Sequence, residues 1–198
     1  MREVILASQS PRRRELLGRF LDSFTVLTDD TEEIRIAGEA PEKTVQRLAM
    51  EKVHHVAERA ERDALVIGAD TVVVLENKVL GKPADEQEAA AMLSMLSGRC
   101  HSVLTGIAVL DTRSGDCAGD YVETKVRFRQ LTKTDIDRYI ASKEPMDKAG
   151  AYGIQELGAL FVEGIDGDYF NVVGLPLCRL DKLLKERFSF DLLAKQKN

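Results

Sequence analysis

Apolar positions recur along this chain in two alternating rhythms, short continuous runs and helix-spaced stripes, and the alternation predicts an α/β or mixed α+β architecture. Val4-Ile5-Leu6-Ala7 is a short strand, and a helical pattern begins at Leu16-Leu17. Ser10 is a good N-cap and Pro11 a good first helical residue, so the first helix starts near Pro11. A second extended run lies near 23–28, followed by the acidic loop Asp29-Asp30-Thr31-Glu32-Glu33. From Pro41 to about Arg62, Val45, Leu48, Ala49, Val53 and Val56 mark one face of a long helix.

Residues 64–75, Ala-Leu-Val-Ile-Gly-Ala-Asp-Thr-Val-Val-Val-Leu, read as a strand buried on both faces. A turn at Glu76-Asn77-Lys78 and a Gly81-Lys82-Pro83 loop come next. The Asp85…Glu88 pair resembles a capping box and opens a helix with Ala89, Met92, Leu93 and Leu96 on its apolar stripe, which stops at Gly98. Two long β segments, about 101–111 and 118–131, flank a Ser114-Gly115-Asp116 turn as an antiparallel pair. A helix at 132–142 leads into a loop punctuated by Gly150, Gly153 and Gly158, a last strand near 158–165, and a final helix from about 174 to 187. The tail after Asp191 is expected to fray. Neither a repeat nor a domain boundary shows in the pattern, so the chain reads as a single domain, 1–198.

Several charged residues interrupt this pattern, and they carry the chemistry. Arg12, Arg13 and Arg14 sit in the first helical turn. A helix N-terminus already carries partial positive charge, and each cation there is disfavoured by roughly 0.3–1 kcal/mol. Either the cluster is a solvated basic turn, or it surrounds an anion held by guanidinium groups, the Ser8 hydroxyl and backbone N–H groups, which would be a phosphate site. Asp70 breaks the long apolar strand, and an unpaired buried carboxylate costs several kcal/mol. It therefore has partners, is protonated, lies where the strand opens into a site, or caps the next turn. Lys52 falls in the middle of the apolar face that runs from Val45 to Val56. Either it snorkels past the core to water or it meets a phosphate or carboxylate. Lys82, between a glycine and a proline, is a cation on a constrained loop.

Together Ser8, Arg12, Arg13, Lys52 and Lys82 form a phosphate set, while Glu33 and Asp70 offer oxygen ligands to a divalent metal such as Mg²⁺ and a base to a water. Hydrolysis of a phosphoanhydride needs those parts.

Composition narrows the setting. Hydrophobic content of 44% and charged content of 31% in 198 residues are those of an ordinary globular protein. A net charge of −5 argues against a general nucleic-acid binder. No signal peptide is visible, and no stretch approaches the roughly 20 apolar residues of a membrane span. Cys100, Cys117 and Cys178 are odd in number and widely spaced, which suits reduced thiols in the cytoplasm. His54, His55 and His101 have no metal-ligand spacing. The full Walker pattern is absent, so a P-loop NTPase is not expected.

The chain resembles the Maf family of nucleotide pyrophosphatases almost end to end. The resemblance rests on Leu6-Ala7-Ser8-x-Ser10-Pro11-Arg12-Arg13, Glu32-Glu33, Glu51-Lys52, Gly68-Ala69-Asp70-Thr71, Gly81-Lys82-Pro83, the run from Asp147 to Gln155, and Val173-Gly174-Leu175-Pro176. It implies a mixed α/β fold with an elongated, bent sheet flanked by helices and two lobes around a central cleft, similar to the inosine triphosphate pyrophosphatases. The implied activity is hydrolysis of a nucleoside triphosphate to the monophosphate and pyrophosphate, a house-cleaning hydrolase of the nucleotide pool using Mg²⁺ or Mn²⁺.

By the same resemblance Asp70 is the proton acceptor, and Arg12, Thr71 and Gln155 match positions associated with substrate choice. At all three the chain resembles the dTTP/UTP branch. The 7-methyl-GTP branch has Trp at the Arg12 position. Glu32 stands where many members have Asp. The family analogy also implies a cytoplasmic homodimer without nucleic-acid or membrane partners. The alternative reading is a nucleotide-binding regulator of septum formation with little turnover.

Overall fold

The run 64–75 forms a single strand and lies inside a seven-stranded mixed sheet in the computed structural model of the protein. The structure describes residues 2–28, 34, 36, 38–61 and 63–195. Their elements are, in order, β1 (Glu3–Ala7), α1 (Pro11–Gly18), β2 (Thr25–Leu27), α2 (Pro41–Ala57), β3 (Ala64–Leu75), β4 (Lys78–Leu80), α3 (Glu86–Leu96), β5 (Cys100–Asp111), β6 (Cys117–Phe128), α4 (Lys133–Ala141), β7 (Val162–Asp166), α5 (Tyr169–Val173) and α6 (Leu177–Phe188). The sheet runs β2-β1-β3-β5-β6-β7, with β4 paired to β3. β1 is parallel to β2 and β3, whereas the β3–β4 and β6–β7 pairs are antiparallel. The expected α/β class with a mixed sheet and flanking helices is therefore present.

Local chemistry accounts for where the elements depart from expectation. α2 ends at Ala57, five residues early, because the apolar pattern stops at Val56 and the chain tightens through Arg59 N–H to Val56 O and Ala60 N–H to Ala57 O bonds. Glu76 and Asn77, at φ 47° and 66°, make a two-residue hairpin that turns Lys78–Leu80 back as a strand not anticipated from its sequence. The expected last strand starts instead at Val162, after a 3-10 turn over Leu157–Phe161. The final helix, expected from about 174, starts at Leu177 instead, since Gly174 has φ 118°, outside any helix, and Pro176 becomes the N-cap of α6. Asp85 caps α3 as expected, accepting from Glu88 N–H at 2.8 Å, but the Glu88 carboxylate reaches Ala84 N–H and not Asp85.

The described chain divides into two compact units, one of Met1–Asp70, Thr105–Val122 and Gly174–Asn198, the other of Thr71–Leu104 and Glu123–Val173. In the first unit α2 packs its Val53, Val56 and Ala49 onto Ile5, Val66 and Leu110 of the strands. In the second, Phe128, Tyr152, Phe161 and Tyr139 form an edge-to-face aromatic chain with ring centroids 4.7–6.0 Å apart. Among the described residues no helix is long and apolar enough to cross a membrane.

His101 is enclosed in that aromatic group. Its Nε2 lies 2.8 Å from Tyr152 Oη, its Nδ1 has no hydrogen-bond partner among the described residues, and burial pushes its pKa from 6.5 down to about 4. The ring is thus neutral in the folded protein. As pH falls below 6.5 the unfolded chain takes up a proton that the folded chain refuses until about pH 4, so stability is lost across that window. His101→Gln is expected to shrink the loss of unfolding free energy between pH 7 and pH 5 by about 2 kcal/mol, measured by urea titration. An unchanged loss would show that the ring is not the acid-sensitive group.

Candidate active site

The site begins with the register of two parallel strands. Ala7, the last residue of β1, pairs with Gly68 of β3, so Ser8 leaves the sheet beside Ala69 and Asp70. The carboxyl edge of parallel strands is where open α/β sheets place ligands. Gly68 decides what covers this edge. A Cβ there would come within 2.7 Å of Val53 Cγ1 and 2.9 Å of Ala49 O, so its absence lets α2 lie directly on β3. Side chains two apart on a strand share a face, which turns Asp70 toward α2. Lys52, next to Val53, meets it, with Nζ 2.6 Å from Asp70 Oδ1.

Both partners are mostly buried, their side chains 16% and 8% exposed. Lys52 therefore does not run past the core to water, and Asp70 does not cap the following turn. Oδ1 of Asp70 is taken by the ammonium, and the Asp70 carboxylate makes no other hydrogen bond among the described residues. That leaves Oδ2 for a water or a metal.

The arginines divide in purpose. Ser10 caps α1, accepting from Arg13 N–H at 3.5 Å. The Arg13 side chain turns inward, donating from Nε to Gly174 O at 2.8 Å and from Nη1 to Ala69 O at 2.8 Å and Ser8 Oγ at 3.2 Å. One guanidinium thus ties the turn after β1 to β3 and to the chain that leads into α6. Ser8 is buried and also accepts from Ser10 N–H at 3.2 Å. Arg12 is half-buried and Arg14 exposed. Ser8, Arg13, Lys52 and Asp70 are therefore gathered within the first unit.

Thr71, Lys82 and Gln155 belong to the second unit. Thr71 is half-buried and follows Asp70 on β3, facing the opposite way by strand alternation. Lys82 is exposed, on a loop held to the glycine-rich segment by Gly150 N–H donating to Gly81 O at 2.9 Å. Gln155 is half-buried at the turn between Gly153 and Gly158. Glu33 lies outside the described residues. Among those described, no three His, Cys, Asp or Glu are grouped as a metal site.

Sequence reasoning missed two features. Glu144 accepts from three groups around the Gln155 loop, and Lys148, only 7% exposed, donates to Asp147 Oδ1 at 2.7 Å and to Glu144 O at 2.8 Å. The signal for Glu144 was a charged residue close to the Gly150–Gly158 punctuation, and Lys148 lay inside the motif run from Asp147 to Gln155 without being singled out. The Arg47 guanidinium, hydrogen-bonded at 2.7 Å, holds Glu39 below the usual carboxylate range. That pair anchors the chain ahead of α2.

A family model described as Maf-like protein matches residues 3–187. The chain is 50% identical over 193 residues to a dTTP/UTP pyrophosphatase of Alkaliphilus metalliredigens, covering 98% of this chain and 100% of that one. It is 52% identical over 182 residues to a dTTP/UTP pyrophosphatase of Clostridium novyi, covering 91% and 95%. A third, from Clostridioides difficile, is 51% identical over 189 residues, covering 96% and 97%. Among solved structures a HAM1 protein from Coxiella burnetii is similar at a TM-score of 0.49, with 18% identity over 94% of this chain and 100% of that one.

Removing one partner of a buried pair strands the other charge. Lys52→Met is expected to lower stability toward the lower end of about 3–5 kcal/mol at pH 7. Asp70→Asn in the same background is expected to restore most of that loss, as read by a double-mutant cycle in chemical denaturation. Additive effects of the two substitutions would mean that the pair is not coupled in solution.

Proposed function

The chain belongs to the Maf-like family, and from that premise we propose that it is a nucleoside triphosphate pyrophosphatase acting on dTTP and UTP. One observation carries the hydrolytic part of the reading: the buried Asp70, with one carboxylate oxygen on Lys52 and no other hydrogen bond to the carboxylate among the described residues. The substrate comes from the relatives, which match at about half identity over nearly their whole length and are named dTTP/UTP pyrophosphatases.

In the proposed reaction a water oxygen bonds to the α phosphorus and the bond from that phosphorus to the α–β bridging oxygen breaks. The water proton passes to Asp70, and the products are the nucleoside monophosphate and pyrophosphate. Lys52, paired to Asp70 Oδ1, holds the carboxylate in place, so that it receives the proton at Oδ2. Ser8 and Arg12 are assigned to the phosphates, presented by a turn that Arg13 fixes through its carbonyl bonds. From the second unit, Lys82 is assigned to phosphate, and Thr71 and Gln155 to the choice of base. The Gln155 amide carries both a donor and an acceptor, as a pyrimidine edge requires.

The reading includes a divalent metal, Mg²⁺ or Mn²⁺, for which Asp70 offers a carboxylate and Glu33 a second one. Bound there, the ion would offset charge on the phosphates, and a site with few carboxylates and several water and phosphate oxygens is the mode that suits Mg²⁺. The reading also includes a cytoplasmic setting, consistent with three free thiols, and, by analogy with the family alone, a homodimer. A nucleotide-binding regulator of septum formation is not favoured, because sensing needs cations but has little use for a buried base.

Two measurements test this. Asp70→Asn is expected to lower pyrophosphate release from UTP and dTTP by about 10²–10⁴-fold with triphosphate binding retained. Hydrolysis that persists would remove Asp70 from the role of base. Gln155→Glu, which replaces the amide donors by acceptors, is expected to reorder the ranking of UTP, dTTP and CTP by kcat/KM. An unaltered ranking would take Gln155 out of base recognition.

A further inference from the structure

A flexible amide on its own discriminates poorly between pyrimidines. Uracil and thymine present an N–H donor beside a carbonyl acceptor, whereas cytosine presents an acceptor beside an amino donor. The glutamine amide, with an oxygen on one side and NH₂ on the other, matches either edge after a half-turn. Selectivity therefore requires the backbone under Gln155 to be held in place.

The second unit contains such a hold. The loop that carries Gln155 closes on itself, since a Cβ at Gly158 would lie 2.4 Å from Gly153 O and 2.8 Å from Tyr139 Oη. At its start, Gly153 N–H donates to Tyr139 Oη at 3.1 Å. At its end, Leu157 N–H donates to Glu144 Oε2 at 3.0 Å and Gly158 N–H to Glu144 Oε1 at 3.2 Å. Tyr139 Oη then donates to that same Glu144 Oε1 at 2.8 Å and joins the two ends. Burial and the neighbouring carboxylate push the Tyr139 hydroxyl pKa upward, so it remains a donor. The Tyr139 ring is fixed by edge-on packing against Phe161 at 4.9 Å. A backbone N–H pair on one carboxylate is a charge-assisted contact, stronger than ordinary loop hydrogen bonds.

From this we infer that Glu144 and Tyr139 are positioning residues for pyrimidine selectivity, acting through the backbone on either side of Gln155. The inference rests on the assignment of Gln155 to the base. Neither residue is assigned to substrate or to the reacting phosphorus. Their removal loosens the loop and makes the amide indifferent to which edge it meets.

The experiment compares Tyr139→Phe, which keeps the ring and loses only the hydroxyl, with Glu144→Ala, Glu144→Gln and Gln155→Ala. For each, kcat and KM are measured for UTP and CTP alongside the thermal midpoint. Loss of this hydrogen-bond clamp is expected to cut the UTP/CTP ratio of kcat/KM about tenfold in Tyr139→Phe and Glu144→Ala, mainly through a higher KM for UTP. Glu144→Gln, which keeps an acceptor oxygen, is expected to recover part of it. In a Gln155→Ala background the same changes should leave the ratio where Gln155→Ala alone puts it. Equal losses for both nucleotides, tracking the thermal midpoint, would overturn the inference and leave a structural role. If Gln155→Ala itself leaves the ratio unchanged, the base assignment fails. If Gln155→Ala lowers the ratio and neither Tyr139→Phe nor Glu144→Ala does, only the positioning role fails.

Discussion

A carboxylate in the middle of a twelve-residue buried strand is the constraint around which the first unit is arranged. An ion in that position needs a counter-charge that arrives without opening the core to water. Helix α2 brings it, and can do so only because Gly68 lets helix and strand touch. Lys52 then lies in the apolar stripe of its own helix, a poor place for an ammonium by itself and the right place for one that must reach Asp70. Each charge makes sense only through the other. The pair leaves one carboxylate oxygen off Lys52, close to where β1 ends against β3.

The same economy governs the arginines at the start of α1. Cations beside a positive helix end are disfavoured, and the fold relieves part of this by turning Arg13 away from the end toward two main-chain carbonyls. Carbonyl oxygens carry partial negative charge, so the guanidinium gains three hydrogen bonds and closes the turn that presents Ser8. Ser10 meanwhile caps the helix, as its place before Pro11 predicts. Arg13 thereby holds in shape the turn that carries Ser8 and Arg12.

In the second unit hydrogen bonding does the work that ion pairing does in the first. A neutral buried histidine, an aromatic chain and a carboxylate receiving N–H groups give a loop of turns and glycines a defined course. A loop without regular secondary structure has to satisfy its backbone groups with side chains. Glu144 does that for the segment around Gln155.

Much of the molecule was legible in the chain. Caps at Ser10 and Asp85 depend on neighbours within a few residues, and the long apolar run gave β3 away by its composition. The order of the motifs carried the family. Other features were hidden because they depend on distant partners or on a single backbone angle. Lys52 finds Asp70 across 18 positions, and Arg13 finds Gly174 across 161. The hairpin at Glu76-Asn77 and the break at Gly174 turn on positive φ values. Periodicity states which face of an element is buried, because that follows from local geometry. Which charge meets which, and which carboxylate receives the N–H groups of a loop, is decided only when separate elements pack, because those contacts form between residues that the chain keeps far apart.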